Sequence, residues 1–246
     1  RVMKLLGSVA LVTGGGRGIG RATALALAGA GADVVVTART TTELEAVAGE
    51  VRARGRRSLA RRCDVTAYDD CRSAVESTVA ELGRLDILVN NAGGFAERGE
   101  VVDSDPARWA STITANLLGI YYCTRAALPF MISARAGKII NIGSGMGHGV
   151  ATGNSAYSVS KAGAWMLTQV LAQEVWPHGI DVNEVVPGPV YTKLTEGVFR
   201  PDAPPPFAPS ERVKLPEEVA ELILWLALRP KGGPTGQSFS LARRPL

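Results

Sequence analysis

A tyrosine and a lysine four positions apart are the residues of this chain best suited to proton-transfer chemistry. Tyr157 and Lys161 are separated by about one helical turn, so in a helix both side chains lie on the same face. A neighbouring ammonium group favours tyrosinate over phenol and lowers the tyrosine pKa from about 10 toward neutral pH. Such a tyrosine can donate a proton to a carbonyl oxygen and take it back in the reverse direction. The spacing also occurs by chance, so a surface pair without function is the alternative.

A glycine-rich turn follows the first predicted strand and opens a predicted helix. Residues 13–20 read Thr-Gly-Gly-Gly-Arg-Gly-Ile-Gly. Glycines let backbone N–H groups approach an anion closely, and a helix N-terminus adds partial positive charge. We therefore predict a diphosphate-binding turn, formed by Gly14, Gly16, Arg17, Gly18, Ile19 and Gly20. The spacing is neither G-x-G-x-x-G nor that of a P-loop, and a ligand-free strand–helix turn is the alternative.

The end of the second predicted strand indicates which dinucleotide would bind. NAD-binding proteins of this type carry an acidic residue there, which bonds the ribose 2′-hydroxyl. Residues 37–40 contain no acid, and Asp33 lies at the other end of the strand. Arg39 offers instead a guanidinium suited to a 2′-phosphate, with Arg17 as a second cation. We therefore expect NADP(H) rather than NAD(H), with two solvent-exposed arginines as the alternative.

Strands and helices alternate about seven times along the chain. Predicted strands cover residues 9–12, 34–36, 58–62, 87–89, 138–142, 180–186 and 239–241, and predicted helices cover 19–30, 42–54, 68–82, 106–134, 156–175 and 216–228. Thr42 and Glu45 have capping-box spacing, and Pro129 predicts a kink or break. The alternation predicts one α/β domain over residues 1–246 with a Rossmann fold. It is a doubly wound, mostly parallel seven-stranded sheet with helices on both faces and its active site beyond the carboxyl ends of the strands.

The composition argues against other classes of protein. A net charge of +4 is weak evidence for nucleic acid, and six arginines between Arg52 and Arg62 are best explained as a solvated helix end and loop. Three widely spaced cysteines fit buried thiols in a reducing compartment, and the two histidines, His148 and His178, have no ligand spacing, so we expect no metal. No apolar run reaches about 18–20 residues and no signal-peptide core is present, so we expect a cytoplasmic protein without membrane contact.

An ordered set of motifs resembles the short-chain dehydrogenase/reductase family over roughly residues 5 to 240. The matching elements are Thr13–Gly20, Asp64-Val65, Asn90-Asn91-Ala92-Gly93, Asn116, Ser144, Tyr157, Lys161 and Pro187-Gly188-Pro189-Val190. Each motif alone is modest evidence, but the complete set in this order is specific. Within the family, the pattern is similar to the NADPH-dependent 3-oxoacyl-[acyl-carrier-protein] reductase group.

The resemblance implies roles for these positions. Ser144 would hold the substrate oxygen, Tyr157 would be the acid/base, and Lys161 would bind the nicotinamide ribose and lower the tyrosine pKa. Asn116 would anchor a water molecule in a proton relay. Ser144 as a turn residue and Asn116 as an ordinary helix residue are the alternatives. The implied nucleotide contacts are Asp64 and Val65 at the adenine, Asn90, Ala92 and Gly93 at the adenosine ribose, and Pro187, Gly188, Val190 and Thr192, the last two at the carboxamide.

The implied activity is NADP(H)-dependent reduction of a ketone or 3-oxoacyl carbonyl to an alcohol, by direct hydride transfer without a metal. An NAD-dependent dehydrogenase of a sugar, steroid or polyol stays open, as does a non-catalytic dinucleotide-binding protein. The expected partner is a small carbonyl or alcohol compound, with an acyl thioester as one candidate, and the expected assembly is a homotetramer or homodimer.

Two segments near the C-terminus depart from the family pattern. Residues from about 190 to 215 are expected to cover the substrate, and the proline-rich part, 201–209, predicts polyproline II or open loop. The tail after Thr235-Gly236-Gln237 lacks the Val-Asp-Gly-Gly-like ending that helps form a subunit interface in many relatives. Trp165, Trp176 and Trp225 are expected in the core or in subunit contacts.

Overall fold

Strands and helices alternate along the chain in the computed structural model, which describes residues 4–96, 98–201, 203–205, 208–243 and 246. The strands are β1 (Val9–Thr13), β2 (Asp33–Ala38), β3 (Ser58–Arg62), β4 (Ile87–Asn90), β5 (Gly137–Ile142), β6 (Ile180–Val186) and β7 (Ser238–Ser240). The α-helices are α1 (Gly18–Gly29), α2 (Thr41–Arg52), α3 (Tyr68–Leu82), α4 (Pro106–Ile113), α5 (Gly119–Ala134), α6 (Ser155–Val175) and α7 (Pro216–Ala227).

The seven strands form one sheet in the order β3-β2-β1-β4-β5-β6-β7. All six neighbouring pairs are parallel. Strand order reverses at β1, so the connections after β1 and β4 leave the sheet in opposite directions and open a crevice at the carboxyl edge. The predicted doubly wound fold is confirmed.

Alternate residues of the central strands supply two apolar layers, one on each face of the sheet. Ala10 and Val12 of β1 face the layer that includes residues of α1, α2 and α7. Val9 and Leu11 face the opposite layer, which includes residues of α3, α5 and α6. A parallel strand buried on both faces reads as a continuous apolar run, which explains why β1 could be predicted.

Two local predictions about helices are wrong. Thr42 does not cap α2, because the helix already begins at Thr41 and Thr40, which precedes it, makes no side-chain cap bond. Pro129 does not break α5, which continues to Ala134. Its fixed φ suits a helix, although its ring nitrogen has no hydrogen to donate. The α-helical pattern is interrupted upstream instead, by a π-helical turn over Thr114–Leu118.

Buried ion pairs occupy the amino edge of the sheet. At the start of β2, Asp33 accepts hydrogen bonds from Arg56 and Arg57, each at 2.7 Å. At the start of β6, Asp181 pairs with Lys138. Burial raises the pKa of Asp33, but hydrogen bonds and charge from the two arginines outweigh it and hold the pKa below its usual value. The Arg56 side chain is mostly buried in this pair, whereas that of Arg57 is largely exposed, so the prediction of a solvated cluster is wrong for Arg56.

The three cysteines are free and buried, as expected. Hydrogen bonding between the thiols of Cys63 and Cys71, together with burial, raises the pKa of Cys63. These thiols act as apolar packing groups between β3 and the helices beneath it.

The helical stretch Pro106–Ala134 is long and apolar enough, by length and composition alone, to cross a membrane. In the fold it packs through Cys123, Ala127 and Met131 into one layer of the core, as the core helix of a globular protein does. The expected lack of membrane contact stays a prediction.

The proline-rich segment forms neither helix nor strand in its described residues, as expected. Asp202, Pro206 and Phe207 of this segment lie outside the described residues. Val190 and Lys214 form an isolated parallel bridge, which joins the two ends of the expected substrate-covering segment.

Candidate active site

Tyr157 and Lys161 lie together in the first two turns of α6, on the side that faces the ends of β4 and β5. The Lys161 Nζ atom is 5.7 Å from the centroid of the Tyr157 ring. The ammonium donates a hydrogen bond of 2.7 Å to the carbonyl oxygen of Ile142, the last residue of β5. The predicted shared face is thus present, and a backbone carbonyl fixes the position of the lysine.

Ser144 follows β5 and is among the groups that act on the tyrosine. Hydrogen bonding from its hydroxyl favours the ionised form of Tyr157 and opposes the rise of the Tyr157 pKa that burial causes. The Ser144 oxygen accepts a hydrogen bond of 3.2 Å from the backbone N–H of Met146, in the short 3-10 turn Gly145–Gly147. The serine therefore serves as a turn residue, whereas its role in holding a substrate oxygen stays a prediction.

Burial dominates the electrostatics of the pair. It lowers the pKa of Lys161 to about 8, and the carboxylate of Glu184 opposes this shift. Burial raises the pKa of Tyr157, while the Ser144 hydrogen bond and the charge of Arg98 oppose it. The expected lowering of the tyrosine pKa is therefore wrong for the protein alone. The free-energy cost of moving a phenolate out of water exceeds the stabilisation that Ser144 and Arg98 give it.

Phe95 and Arg98 cover the tyrosine from the segment after β4. The rings of Phe95 and Tyr157 are stacked, with centroids 3.9 Å apart and an interplanar angle of 21°. The Arg98 guanidinium lies 4.7 Å from the Phe95 ring centroid. Nothing in the sequence predicts this cover, because no periodicity or motif links residue 95 to residue 157.

Asn116 lies in the π-helical turn and is fully buried. Its amide donates to the carbonyl oxygen of Gly94 at 2.9 Å and to the Ser160 hydroxyl at 3.1 Å, and its oxygen accepts from the Gly94 N–H at 2.8 Å. A Cβ at Gly93 would lie 2.5 Å from the Asn116 oxygen and 3.9 Å from Lys161 Nζ. Asn116 and Lys161 therefore border the same glycine, whereas the relay role of Asn116 stays a prediction.

The glycine turn has the geometry of an anion cradle. Gly14 and Gly18 have φ of +63° and +52°, which favour glycine, and a Cβ at Gly20 would overlap the Gly14 carbonyl oxygen. Helix α1 begins without a side-chain cap, so its first N–H groups are left for another acceptor. Thr192, from the segment after β6, lies against Gly18, since a Cβ there would be 3.4 Å from its methyl group.

Asn91 and Thr13 hold this turn in place, and the sequence does not single out either side chain for this role. The Asn91 amide donates to the carbonyl oxygens of Thr13 at 2.9 Å and Gly14 at 3.2 Å. The Thr13 hydroxyl accepts from the N–H groups of Asn91 and Ala92, each at 3.0 Å. Two motifs that are distant in sequence are therefore one unit at the carboxyl edge.

The groups expected at the adenosine end lie next to this turn. Arg39 is exposed after β2, and its charge is among the causes that lower the pKa of Asp64; burial, the largest cause, acts in the opposite direction. Arg17 is half-exposed and lies 3.4 Å from Glu43. Val65 packs against Gly119, where a Cβ would be 2.9 Å from its methyl carbon. An uncapped helix start beside two exposed guanidinium groups fits a dinucleotide diphosphate and a further phosphate.

One expected nucleotide residue points elsewhere. The Asn90 side chain is buried and donates to Thr124 at 3.1 Å and to Asn141 at 2.9 Å, which links β4 to α5 and β5. The side chain of Asn90 is thus engaged within the core, and a contact of this residue with the adenosine ribose stays a prediction for its backbone. Pro187, Gly188 and Val190 follow β6 at the same edge as predicted, and Gly188 has φ of +66°.

His148 has a carboxylate partner that its sequence neighbours do not predict. Its Nε2 atom lies 2.8 Å from Oε2 of Glu184, a buried residue of β6. The two residues are 36 positions apart in the sequence, so the spacing of the histidine gave no sign of this pair. Among residues 4–96, 98–201, 203–205, 208–243 and 246, no three His, Cys, Asp or Glu side chains are grouped to hold a metal ion.

The expected positions of the tryptophans are only partly met. Trp165 is half-buried and packs against His148, with ring centroids 4.9 Å apart. Trp176 and Trp225 are exposed in the single chain, so the predicted core position is wrong for both. A subunit contact of these two side chains stays a prediction.

Comparison with known proteins agrees with this arrangement. Residues 8–203 match the short chain dehydrogenase family. The chain is 39% identical to the 3-oxoacyl-[acyl-carrier-protein] reductase of Synechocystis sp., with 96% of each chain covered. It is 33% identical to the D-xylose 1-dehydrogenase of Caulobacter vibrioides, covering 96% of this chain and 94% of that one. The crystal structure of a short-chain type dehydrogenase/reductase from Mycobacterium marinum is similar with a TM-score of 0.88 and 34% identity, covering 98% and 96%.

Proposed function

This chain belongs to the short-chain dehydrogenase/reductase family, and from that premise we propose that it reduces a ketone or 3-oxoacyl carbonyl to an alcohol with NADPH. The observation that carries the proposal is the buried ammonium of Lys161, which lies 5.7 Å from the Tyr157 ring centroid and binds the carbonyl oxygen of Ile142, two residues before Ser144. A hydroxyl, a phenol and an ammonium together form a proton-donating site at the sheet edge that also bears the glycine turn.

The residues would divide the reaction as follows. A bound nicotinamide cofactor supplies the hydride that the carbonyl carbon receives. The Ser144 hydroxyl donates a hydrogen bond to the carbonyl oxygen, and Tyr157 donates its proton to that oxygen as negative charge develops. The ammonium of Lys161 stabilises the resulting tyrosinate. Asn116 holds the backbone of Gly94 and the hydroxyl of Ser160 at the inner end of this site.

The raised pKa of Tyr157 supports reduction rather than oxidation at neutral pH. A phenol that keeps its proton is ready to donate it, whereas alcohol oxidation needs the phenolate as the base. We therefore propose that Tyr157 is in the protonated form that carbonyl reduction needs, and we expect alcohol oxidation to become faster as pH rises.

Two features support NADPH over NADH. Residues 37–40, at the end of β2, contain no acidic side chain, and Arg39 is exposed there. Asp33, the acid at the start of β2, is bound to two arginines at the amino edge and cannot reach a ribose at the carboxyl edge. The ratio of kcat/KM for NADPH and NADH tests this choice, and a clear NADH preference would contradict it.

The 3-oxoacyl-[acyl-carrier-protein] reductase relative supports an acyl thioester as one substrate, and the D-xylose 1-dehydrogenase relative keeps a sugar open. A screen of NADPH oxidation over ketones, sugars and 3-oxoacyl thioesters separates these candidates. A cytoplasmic location and a homodimer or homotetramer are part of the proposal.

The central test is Tyr157→Phe, which removes only the phenolic oxygen. We expect turnover with a substrate found in that screen to fall at least about 100-fold, since general acid catalysis contributes about that much or more. NADPH binding, followed by its fluorescence, should be nearly unchanged. Tyr121→Phe is the matched control, because Tyr121 is exposed on α5. Turnover that survives in Tyr157→Phe would show that the assigned acid is wrong.

A further inference from the structure

Glu184 is a buried carboxylate that the proposed reaction does not use. It lies on β6 and is 1% exposed. Its Oε2 atom accepts a hydrogen bond from the Ser238 hydroxyl at 2.5 Å and lies 2.8 Å from His148 Nε2. Its Oε1 atom is buried and has no hydrogen-bond partner among the described residues. A half-satisfied buried carboxylate costs stability, so its position behind the proposed site needs an explanation.

The register of the sheet puts Glu184 beneath the residues that hold the reactive side chains. Glu184 pairs with Asn141 of β5, one residue before Ile142, whose carbonyl oxygen receives the Lys161 ammonium. A Cβ at Gly143 would overlap the Glu184 carboxylate. The carboxylate therefore occupies the side-chain space of the residue between Ile142 and Ser144.

His148 connects the same carboxylate to the far end of the Ser144 segment. Its ring lies on one side against Trp165 of α6, with centroids 4.9 Å apart, and on the other meets Glu184. Between them, Gly147 lies against the backbone of Lys161, where a Cβ would be 2.7 Å from the carbonyl carbon. Residues 143–148 are thus held between Glu184 below and the Lys161 turn of α6 above.

Charge links Glu184 to the lysine as well. Glu184 is the charged group that favours the ammonium form of Lys161, against the effect of burial. Two other titratable groups face this cluster. His148, from the loop after β5, lies against Glu184, and Tyr157, from α6, lies beside Lys161. Arg98, from the loop after β4, acts on Tyr157 in turn.

We propose that Glu184 is a positioning residue of this site: its carboxylate fills the space beneath Gly143 and, through His148, holds the segment that carries Ser144 and follows the Ile142 carbonyl to which Lys161 binds. The proposal rests on the proposed function for the roles of Lys161 and Ser144. This inference goes beyond the proposed function by assigning a structural task to a buried carboxylate, a histidine and a β7 serine that make no contact with the reacting atoms.

The test is Glu184→Gln, which removes the charge but keeps the shape and an oxygen for Ser238 and His148. The readout is the dissociation constant of NADPH, measured by its fluorescence from pH 6 to 10. In the unaltered protein, affinity should weaken as Lys161 loses its proton near pH 8. In Glu184→Gln we expect this break to move to a lower pH, since the variant removes the carboxylate charge that favours the ammonium form of Lys161. The kcat for a ketone should fall as well, through the looser Ser144 segment.

Asp181→Asn is the matched control, because Asp181 is also a buried, paired carboxylate of β6 but lies at the amino edge with Lys138. It should leave the pH break where it is. If Glu184→Gln does not fold, Glu184→Asp keeps the charge at a greater distance and should give a smaller shift in the same direction.

The outcomes separate the two proposals. A break that neither Glu184 variant moves, or one that Asp181→Asn moves equally, would overturn the inference and leave the reductase assignment intact. An NADPH affinity that is constant with pH in the unaltered protein would also overturn it. The proposed function itself would be overturned if the unaltered protein bound no NADPH at any pH, or if the Tyr157→Phe variant kept its turnover.

Discussion

At the scale of single residues, burial moves the pKa values of Tyr157 and Lys161 in opposite directions. Burial favours the neutral form of each group, so a tyrosinate–ammonium pair is less stable in the free protein than it would be in water. Glu184 on one side and Arg98 on the other partly restore the charged forms. The reactivity of the pair therefore depends on these more distant charges as well as on the four-residue spacing seen in the sequence.

The lowered pKa of Lys161 predicts a rise of stability with pH. The folded-state value is about 8 and the ordinary value is 10.5, so the unfolded chain binds more protons between them. Burying the ammonium thus costs stability below pH 8, and this cost is relieved as pH rises. We expect the free energy of unfolding to gain about 2 kcal/mol from this group between pH 8 and 10.

Urea unfolding from pH 7.5 to 10 measures this rise, and Lys161→Met should abolish it. The series stops at pH 10 because the raised pKa of Tyr157 acts in the opposite sense above that point. Lys193→Met, a change at an exposed lysine of the loop after β6, is the control and should keep the rise. Equal slopes in all three proteins would contradict the assignment.

At the scale of elements, the boundaries of β3, α3 and β6 follow from the sequence, because their residue patterns and flanking breakers are local. The order of the motifs also placed Ser144 after β5 and Tyr157 with Lys161 in α6, and the catalytic roles of these residues stay predictions. The π-helical turn around Asn116 was not predictable, because periodicity does not distinguish it from α-helix. Nor was the His148–Glu184 pair, which depends on the register of β5 with β6 across 36 positions of sequence.

Helix α1 offers a prediction with an internal control. A Cβ at Gly20 would overlap the Gly14 carbonyl oxygen, whereas one at Gly29 meets nothing within 4 Å. Gly20→Ala should therefore force the phosphate-binding turn apart, lower the free energy of unfolding by about 1–3 kcal/mol and weaken NADPH binding at least tenfold. Gly29→Ala should be neutral or stabilise the protein by up to about 1 kcal/mol.

Thermal unfolding and NADPH fluorescence measure both variants of α1. The two substitutions are chemically identical and lie nine residues apart in one helix, so a general effect of alanine is controlled. Equal NADPH affinity in Gly20→Ala and Gly29→Ala would show that the turn does not bind the cofactor.

At the scale of the whole molecule, the two edges of the parallel sheet differ in how their polar groups are used. The amino edge has carboxylates already bound by cations, such as Asp33 with Arg56 and Arg57. The carboxyl edge has an uncapped helix start and the half-satisfied Glu184. Strands that all point the same way make this separation possible, because every chemistry-bearing segment leaves the sheet at one edge.

Asp33→Asn tests the separation. Its lowered pKa means that Asp33 stabilises the fold above its ordinary pKa of 3.8, and this contribution is lost as pH falls through the folded-state value. At pH 7 the variant should lose about 2 kcal/mol of unfolding free energy, since two guanidinium groups lose their anion. Its kcat and NADPH affinity should match those of the unaltered protein. A loss of activity in the folded variant would contradict the separation of the two edges.

Because Asp33 and Asp181 anchor the end of the sheet farthest from Tyr157, that end is a place to attach or insert new material. Immobilisation linkers, fluorescent labels or added disulfides near the starts of β2 and β6 would leave the approach of coenzyme and substrate open. The amino edge of the sheet could thus be stabilised and the substrate selectivity at the carboxyl edge changed as two independent design problems.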